Sequence, residues 1–267
     1  MSTRTEYAPG TPSWADNASS DPSAAASFYS QLFGWQTENS MPAESPGEYH
    51  MARLDGKNVA ALGSQPMEGM PAVWNTYITV GSADEVAKAV ADAGGKVMME
   101  PFDVLDAGRM AVCADPAGAV FMVWEAKDSI GAEVVNEPVT LAWNELYTRD
   151  VDGCQAFYGS VFGWTTTEID SGGTPYTLWH LNGGEAPLGG MLAMSEEMFP
   201  AEVPPHWLVY FAVDETDAVA ARCEELGGTV TAPPFDTGVG RIAVLSDLQG
   251  AGFAVIALNE ETRAQAP

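Results

Sequence analysis

Apolar and polar positions along this chain regroup four times in the same order: a short strand, an amphipathic helix, then three strands. In the first round, Ala25, Phe28, Tyr29, Leu32 and Phe33 recur at helical spacing. Asp21 suits the N-cap of that helix, Pro22 its first turn and Gly34 its end. A strand at 12–18 precedes it, and strands at 35–39, 49–54 and 59–63 follow. The second round opens with a strand at 73–80. Its helix, 83–93, is capped by Ser82 and stopped by Gly94 and Gly95. Strands at 96–99, 109–114 and 119–125 complete it. The second half repeats this order, with helices expected at about 151–162 and 215–226.

The order repeats because the chain is an internal duplication. SFYSQLFGW, starting at Ser27, returns as AFYGSVFGW, starting at Ala156. The same offset carries Trp14 to Trp143, Asp16 to Glu145 and Asp21 to Asp150. A second block, starting at Val73, returns from His206 and carries Trp74 to Trp207 and Tyr77 to Tyr210. EPFD at Glu100 matches PPFD at Pro233, Arg109 matches Arg241, and DPAG at Asp115 matches DLQG at Asp247. Such ordered self-similarity marks repeated structural units. We expect one domain over 1–128, a linker over 129–138 where periodicity is lost, and a second domain over 139–267.

The formal charge of −26 narrows the partners. It excludes nucleic acid and anionic membrane surfaces, which need a positive patch. The carboxylates are spread along the chain, as a solvated surface requires. No apolar run is long enough to span a membrane, and the N-terminus has no apolar h-region. Cys113, Cys154 and Cys223 are scattered and odd in number, which suits reduced packing residues of a cytoplasmic protein. No nucleophile elbow, phosphate loop or dinucleotide-binding glycine pattern is present.

FYxxxFGW closing the first helix, then GG, PPFD, Arg and DxxG before a last strand, resembles the vicinal-oxygen-chelate superfamily, which includes glyoxalases, bleomycin-resistance proteins and extradiol dioxygenases. The resemblance implies an α+β fold. Four βαβββ modules would form two tandem domains, each with a cup-shaped mixed β-sheet. It also implies where a metal would be held. Members that bind one supply His or Glu from the cup face, at positions that here are Trp14, Asn75, Met122, Trp143, Leu208 and Ala254. The third strands of the first modules contribute 60–62 and 188–191, again without His or Glu. The expectation is therefore no metal and no cofactor.

Residues two apart on a strand share a face. On that rule the first cup gathers Trp14, Asp16, Asn75, Tyr77, Met122 and Trp124. The second gathers Trp143, Glu145, Tyr147, His206, Leu208, Tyr210 and Ile256. Aromatic walls with one acid each suit a flat apolar or aromatic small molecule. The acid would also suit a cationic group. Arg109 and Arg241 read as structural ion-pair partners, and Trp35 and Trp164 as scaffold. The leading expectation is a metal-free small-molecule binder of the drug-resistance or sequestration kind, monomeric or homodimeric. The alternative is a glyoxalase-like or dioxygenase-type enzyme with a relocated site in the second half. There Glu145, His206 and His180 would approach one another, Glu145 and His206 being the candidate catalytic pair. A third reading makes one half a structural partner whose cup is filled by its own side chains.

Overall fold

The computed structural model describes residues 3–171 and 173–265. The first half contains β1 (Pro12–Ser19), α1 (Pro22–Phe33), β2 (Gln36–Asn39), β3 (Tyr49–Leu54) and β4 (Lys57–Ser64), then β5 (Val73–Thr79), α2 (Ala83–Asp92), β6 (Lys96–Val104), β7 (Gly108–Ala114) and β8 (Val120–Ala126). The second contains β9 (Leu141–Thr148), α3 (Val151–Phe162), β10 (Thr165–Asp170), β11 (Pro175–His180) and β12 (Pro187–Ala193), then β13 (His206–Ala212), α4 (Thr216–Glu225), β14 (Thr229–Asp236), β15 (Gly240–Ser246) and β16 (Gly252–Leu258). A short α5 (Glu260–Gln265), which the pattern did not announce, ends the described chain.

The fold is α+β with two eight-stranded mixed sheets, ordered β2-β3-β4-β1-β5-β8-β7-β6 and β10-β11-β12-β9-β13-β16-β15-β14. Modules pair within a half. β1 lies antiparallel to β5 at the centre of one sheet, and β9 antiparallel to β13 at the centre of the other. The expected helix ends are in place. Asp21 and Asp150 accept from the backbone N–H groups of Ala24 and Gly153, each at 2.9 Å. Gly34 closes α1 with φ of 75°, a conformation glycine adopts without a Cβ penalty. β6 runs five residues beyond the expected 96–99, through two bulges and Pro101. It lies on a sheet edge, where proline costs no ladder hydrogen bond.

Among the described residues three clusters carry the core, two of them shared between the halves and a third, of Tyr147, Met194, Leu208, Tyr210, Ile242, Ala254 and Ile256, on the cup side of the second sheet. One shared cluster joins Phe28, Tyr29, Phe33 and Trp35 of the first half to Phe211, Cys223, Phe253 and Val255 of the second. The other joins Ile78, Val90, Cys113 and Phe121 to Cys154, Phe157, Tyr158 and Trp207. Two matched polar links tie the halves. Trp74 Nε1 donates to the Tyr29 hydroxyl at 2.7 Å, and that hydroxyl donates to Asp247 at 3.1 Å. Trp207 Nε1 donates to Tyr158 at 3.0 Å, and Tyr158 donates to Asp115, also at 3.0 Å. Asp115 and Asp247 also hold their DxxG turns, accepting from the backbone N–H of Ala119 and Ala251. Trp35 and Trp164 reach across too, donating to the carbonyls of Val139 and Gly10 at 2.8 Å. The three cysteines are buried and free.

Arg109 forms a two-point ion pair with Asp84, and Arg241 with Asp217, clamping helix to sheet in both halves. Segment 129–138 has no strand of its own, yet it is bound down. Ala132 and Val134 are buried, Tyr7 donates to the Ala132 carbonyl at 2.6 Å, and Trp124 donates to the Ser129 carbonyl at 2.9 Å. Among the described residues, no helix is long and apolar enough to cross a membrane.

Candidate functional site

Each half leaves its concave face to a cup, and strand register fixes what stands there. In the first cup Asp16 lies opposite Asn75, and Trp14 opposite Tyr77; Tyr77 then pairs with Met122 on β8. Asp16 is buried and is a hydrogen-bond hub. Its Oδ2 accepts from the hydroxyls of Tyr77 at 2.7 Å and Tyr49 at 3.0 Å, and its Oδ1 accepts from Asn75 Nδ2 at 2.8 Å. Trp14 Nε1 donates to Tyr49 at 3.1 Å, so Trp14, Tyr49 and Asp16 form a relay. The rings of Tyr77 and Trp124 meet edge to face.

The second cup rebuilds that relay. Trp143 Nε1 donates to the Tyr176 hydroxyl at 3.0 Å, and Tyr176 lies close enough to buried Glu145 to influence its proton. Tyr210 and Tyr147 donate to Glu145 Oε2, and the two hydroxyls lie 3.2 Å apart. Leu208 stands where the first cup has Asn75, directly opposite the acid. His206 lies beside Tyr147, its ring stacked at 5.2 Å. Phe199, from the loop between β12 and β13, packs on both rings.

Burial sets the electrostatics of these acids. It pushes the carboxyls of Asp16 and Glu145 above their ordinary range, while the phenol and amide donors pull them partly back. The surrounding Tyr49, Tyr77, Tyr147 and Tyr210 hydroxyls are raised by burial and by the adjacent acid. Among the described residues neither acid has a cationic partner. Burial also lowers the His206 pKa. Its Nδ1 faces the Pro204 carbonyl at 2.9 Å; a carbonyl only accepts, so that nitrogen carries the proton and Nε2 is left with its lone pair.

Strand register sets the anticipated cup residues on shared sheet faces, but the anticipated catalytic pair is separated. Glu145 is held by phenols and His206 by the Pro204 carbonyl, with no hydrogen bond between them. The reason is the row spacing: His206 pairs with Tyr147, one side-chain row beyond Glu145. His180 does not join them either. It follows the core-facing Trp179 across an unbroken pairing with β10, so it points to the cup side. There both ring nitrogens are buried, without a hydrogen-bond partner among the described residues.

The acids differ from the expectation in another way. Asp16, Tyr77, Trp124, Glu145 and Tyr210 form a covered floor, at 8% exposure or less, while Tyr49, Asn75, Trp143, Tyr176 and His206 form a half-buried rim. Neither donor set fits a divalent ion, which needs several N or O ligands converging. Each cup offers one carboxylate already engaged by neutral donors, and no three His, Cys, Asp or Glu side chains converge among the described residues. The pattern reading did not assign Tyr49, Tyr176 and Phe199. Tyr49 and Tyr176 are matched across the repeat, as are Gly63 and Gly190 beneath them, and that double match was the available signal.

Comparison with known proteins agrees with this architecture. CFP32 of Mycobacterium tuberculosis, provisionally named a glyoxylase, is 47% identical over 261 residues, covering 96% of this chain and 98% of its own. The anthracycline biosynthesis protein DnrV of Streptomyces peucetius is 40% identical over 270 residues, covering 96% of each chain. Among solved structures, the Mn(II)-bound glyoxalase from Novosphingobium aromaticivorans superposes with a TM-score of 0.64 at 16% identity, covering 93% of this chain and 82% of its own. The 2,3-dioxygenase LapB from Pseudomonas sp. KL28 gives 0.61 at 14% identity, covering 93% of each. The family model matches twice, over residues 14–123 and 131–255, and the chain belongs to the glyoxalase/bleomycin resistance protein/dioxygenase superfamily.

Proposed function

We propose that this protein is a cytoplasmic binder of a small, planar aromatic molecule, held in one or both cups without a metal ion. The observation that carries this reading is the carboxylate–phenol cluster on each floor. Where the fold would place a metal cage, Asp16 and Glu145 are enclosed by tyrosine hydroxyls and indoles. Such a floor holds a flat ring by stacking and edge contacts, and orients it with a few hydrogen bonds. The relative named for anthracycline biosynthesis fits a fused-ring ligand.

Tryptophan fluorescence reads the site directly, because Trp14, Trp124 and Trp143 stand in the cups. Titration with planar aromatic compounds is expected to quench it saturably and to raise the thermal midpoint. A ligand at one hundred times its Kd adds about 2.7 kcal/mol of stability. A purified protein that carries stoichiometric transition metal and responds to divalent cations, but to no aromatic compound, would overturn the proposal.

A further inference from the structure

The two cups differ most at one end. Ala18 pairs with Val73 in the first sheet, and Tyr147 pairs with His206 at the same place in the second. The first pair leaves its end of the cup open: Ala18 is small and half-buried, and Val73 is 37% exposed. The second pair fills that end with two stacked rings, and Phe199 packs on both. One row inward, Asn75 is half-buried, while its counterpart Leu208 is buried.

The cover comes from residues 194–205, between β12 and β13. The matching segment of the first half, 65–72, is four residues shorter. In the short loop Met67 and Met70 are exposed, and Gly69 takes a left-handed φ of 84°. The long loop has no glycine and contains Pro200, Pro204 and Pro205, which restrict its backbone. Two turns shape it. The Phe199 N–H donates to the Ser195 carbonyl at 2.9 Å, and the Val203 N–H to the Pro200 carbonyl at 3.0 Å. Met194, Phe199 and Val203 pack with Leu208, Tyr210 and Ile256 in the cup-side cluster.

A side chain outside the loop holds it down. Arg149, one residue past β9, donates to the carbonyls of Pro200 at 2.9 Å and Val203 at 3.0 Å. Its counterpart in the first half is Ser20, which bonds instead to Gln249. Arg149 is exposed, so water can take over its N–H groups and the clasp is reversible.

Resting on the binding reading above, we propose that segment 194–205 is a lid over the second cup, with Phe199 as its plug and Arg149 as its latch. A ligand reaches the Glu145 floor only when the lid lifts, whereas the first cup stands open at the same end. The duplicated sites therefore differ in access rather than in floor chemistry.

The test takes the full chain and two variants. Arg149→Met keeps the apolar stem but removes both hydrogen bonds, and Phe199→Ala removes the plug. Hydrogen exchange reads the latch without any ligand. In Arg149→Met the Phe199 and Val203 amides are expected to exchange at least about tenfold faster, the ratio that loss of one or two hydrogen bonds gives. Amides of β9 and β13 are expected to keep their rates, which certifies the fold. The neutral fluorescent probe N-phenyl-1-naphthylamine reads access. The parent is expected to bind one equivalent, and each variant a second. Unchanged exchange in Arg149→Met, or two equivalents in the parent, overturns the lid. Faster exchange with no second equivalent in either variant overturns it as a barrier to entry. If the exchange response is present and none of the three proteins binds the probe, the binding reading falls and the latch stands.

Discussion

At the scale of single residues, the unusual feature is a buried carboxylate with no counter-charge. Burying an ion without compensation is costly, and here neutral phenols and an amide provide the compensation. For Glu145, burial still prevails over its donors, so the folded protein holds that proton at pH values where the unfolded chain has released it. Protons bound in excess by the native state make stability fall as pH rises. The contribution of Glu145 is thus most favourable in acid and is lost through the ordinary carboxylate range up to its raised pKa. A Glu145→Gln variant cannot lose this term. Its thermal midpoint relative to the parent is expected to become more favourable as pH rises from acid to neutral. A difference that instead becomes more favourable toward acid would contradict the burial argument. Comparing variant with parent cancels the exposed ion pairs, whose acids Asp84, Asp103 and Asp217 are shifted the other way.

At the scale of strands and helices, much was legible in the sequence because the signals are local. Period, cap and stop residues specify α1 and α3 within a dozen positions, and the repeat supplies each element twice. Side-chain alternation on β1, β5, β8, β9 and β13 was likewise enough to name the floor residues. The relay tyrosines were harder to see. β3 shows little alternation of burial, and the β11 sequence PYTLWH has no regular apolar–polar alternation, so neither face declares itself in the sequence. Tyr49 and Tyr176 reach the acids only because the neighbouring strand has glycine beneath each ring. A Cβ at Gly63 would lie 2.8 Å from Tyr49 Cδ2, and one at Gly190 would fall on the Tyr176 hydroxyl. That condition belongs to two strands together and is invisible in either alone. Gly190 has no need of a left-handed backbone, since it is absent from the positive-φ glycines. Gly190→Ala is therefore expected to act through space, turning Tyr176 away from Glu145. The cost should be about 1–3 kcal/mol, the range for overpacking and for a lost buried hydrogen bond. Denaturant midpoints measure it, and a loss of the Trp143 environment in fluorescence should accompany it. A variant as stable as the parent with unchanged fluorescence would show that the glycine is dispensable.

At the scale of the whole molecule, the motifs that mark the repeat turn out to bind one half to the other. Tyr29 and Tyr158 sit in the two copies of FYxxxFGW, yet each donates to the aspartate of the opposite half, 218 and 43 residues away. No local pattern encodes such a pairing, although both motifs were recognisable. Two of the core clusters also mix residues of both halves, so neither half buries the face between the sheets alone. The two sheets are therefore expected to unfold in one cooperative transition, despite their separate hydrogen-bond networks. Within that unit, Tyr158 and Asp115 offer a measurable coupling. Tyr158→Phe leaves a buried acid one donor short, and Asp115→Asn weakens the acceptor while disturbing the turn it holds. Because the two share one hydrogen bond, their effects should not add. A double-mutant cycle is expected to return a coupling of about 0.5–3 kcal/mol. Circular dichroism and tryptophan fluorescence should report coincident transitions in all four proteins. Additive effects, or a first transition confined to one sheet, would mean that the Tyr158–Asp115 link adds no stability between the halves.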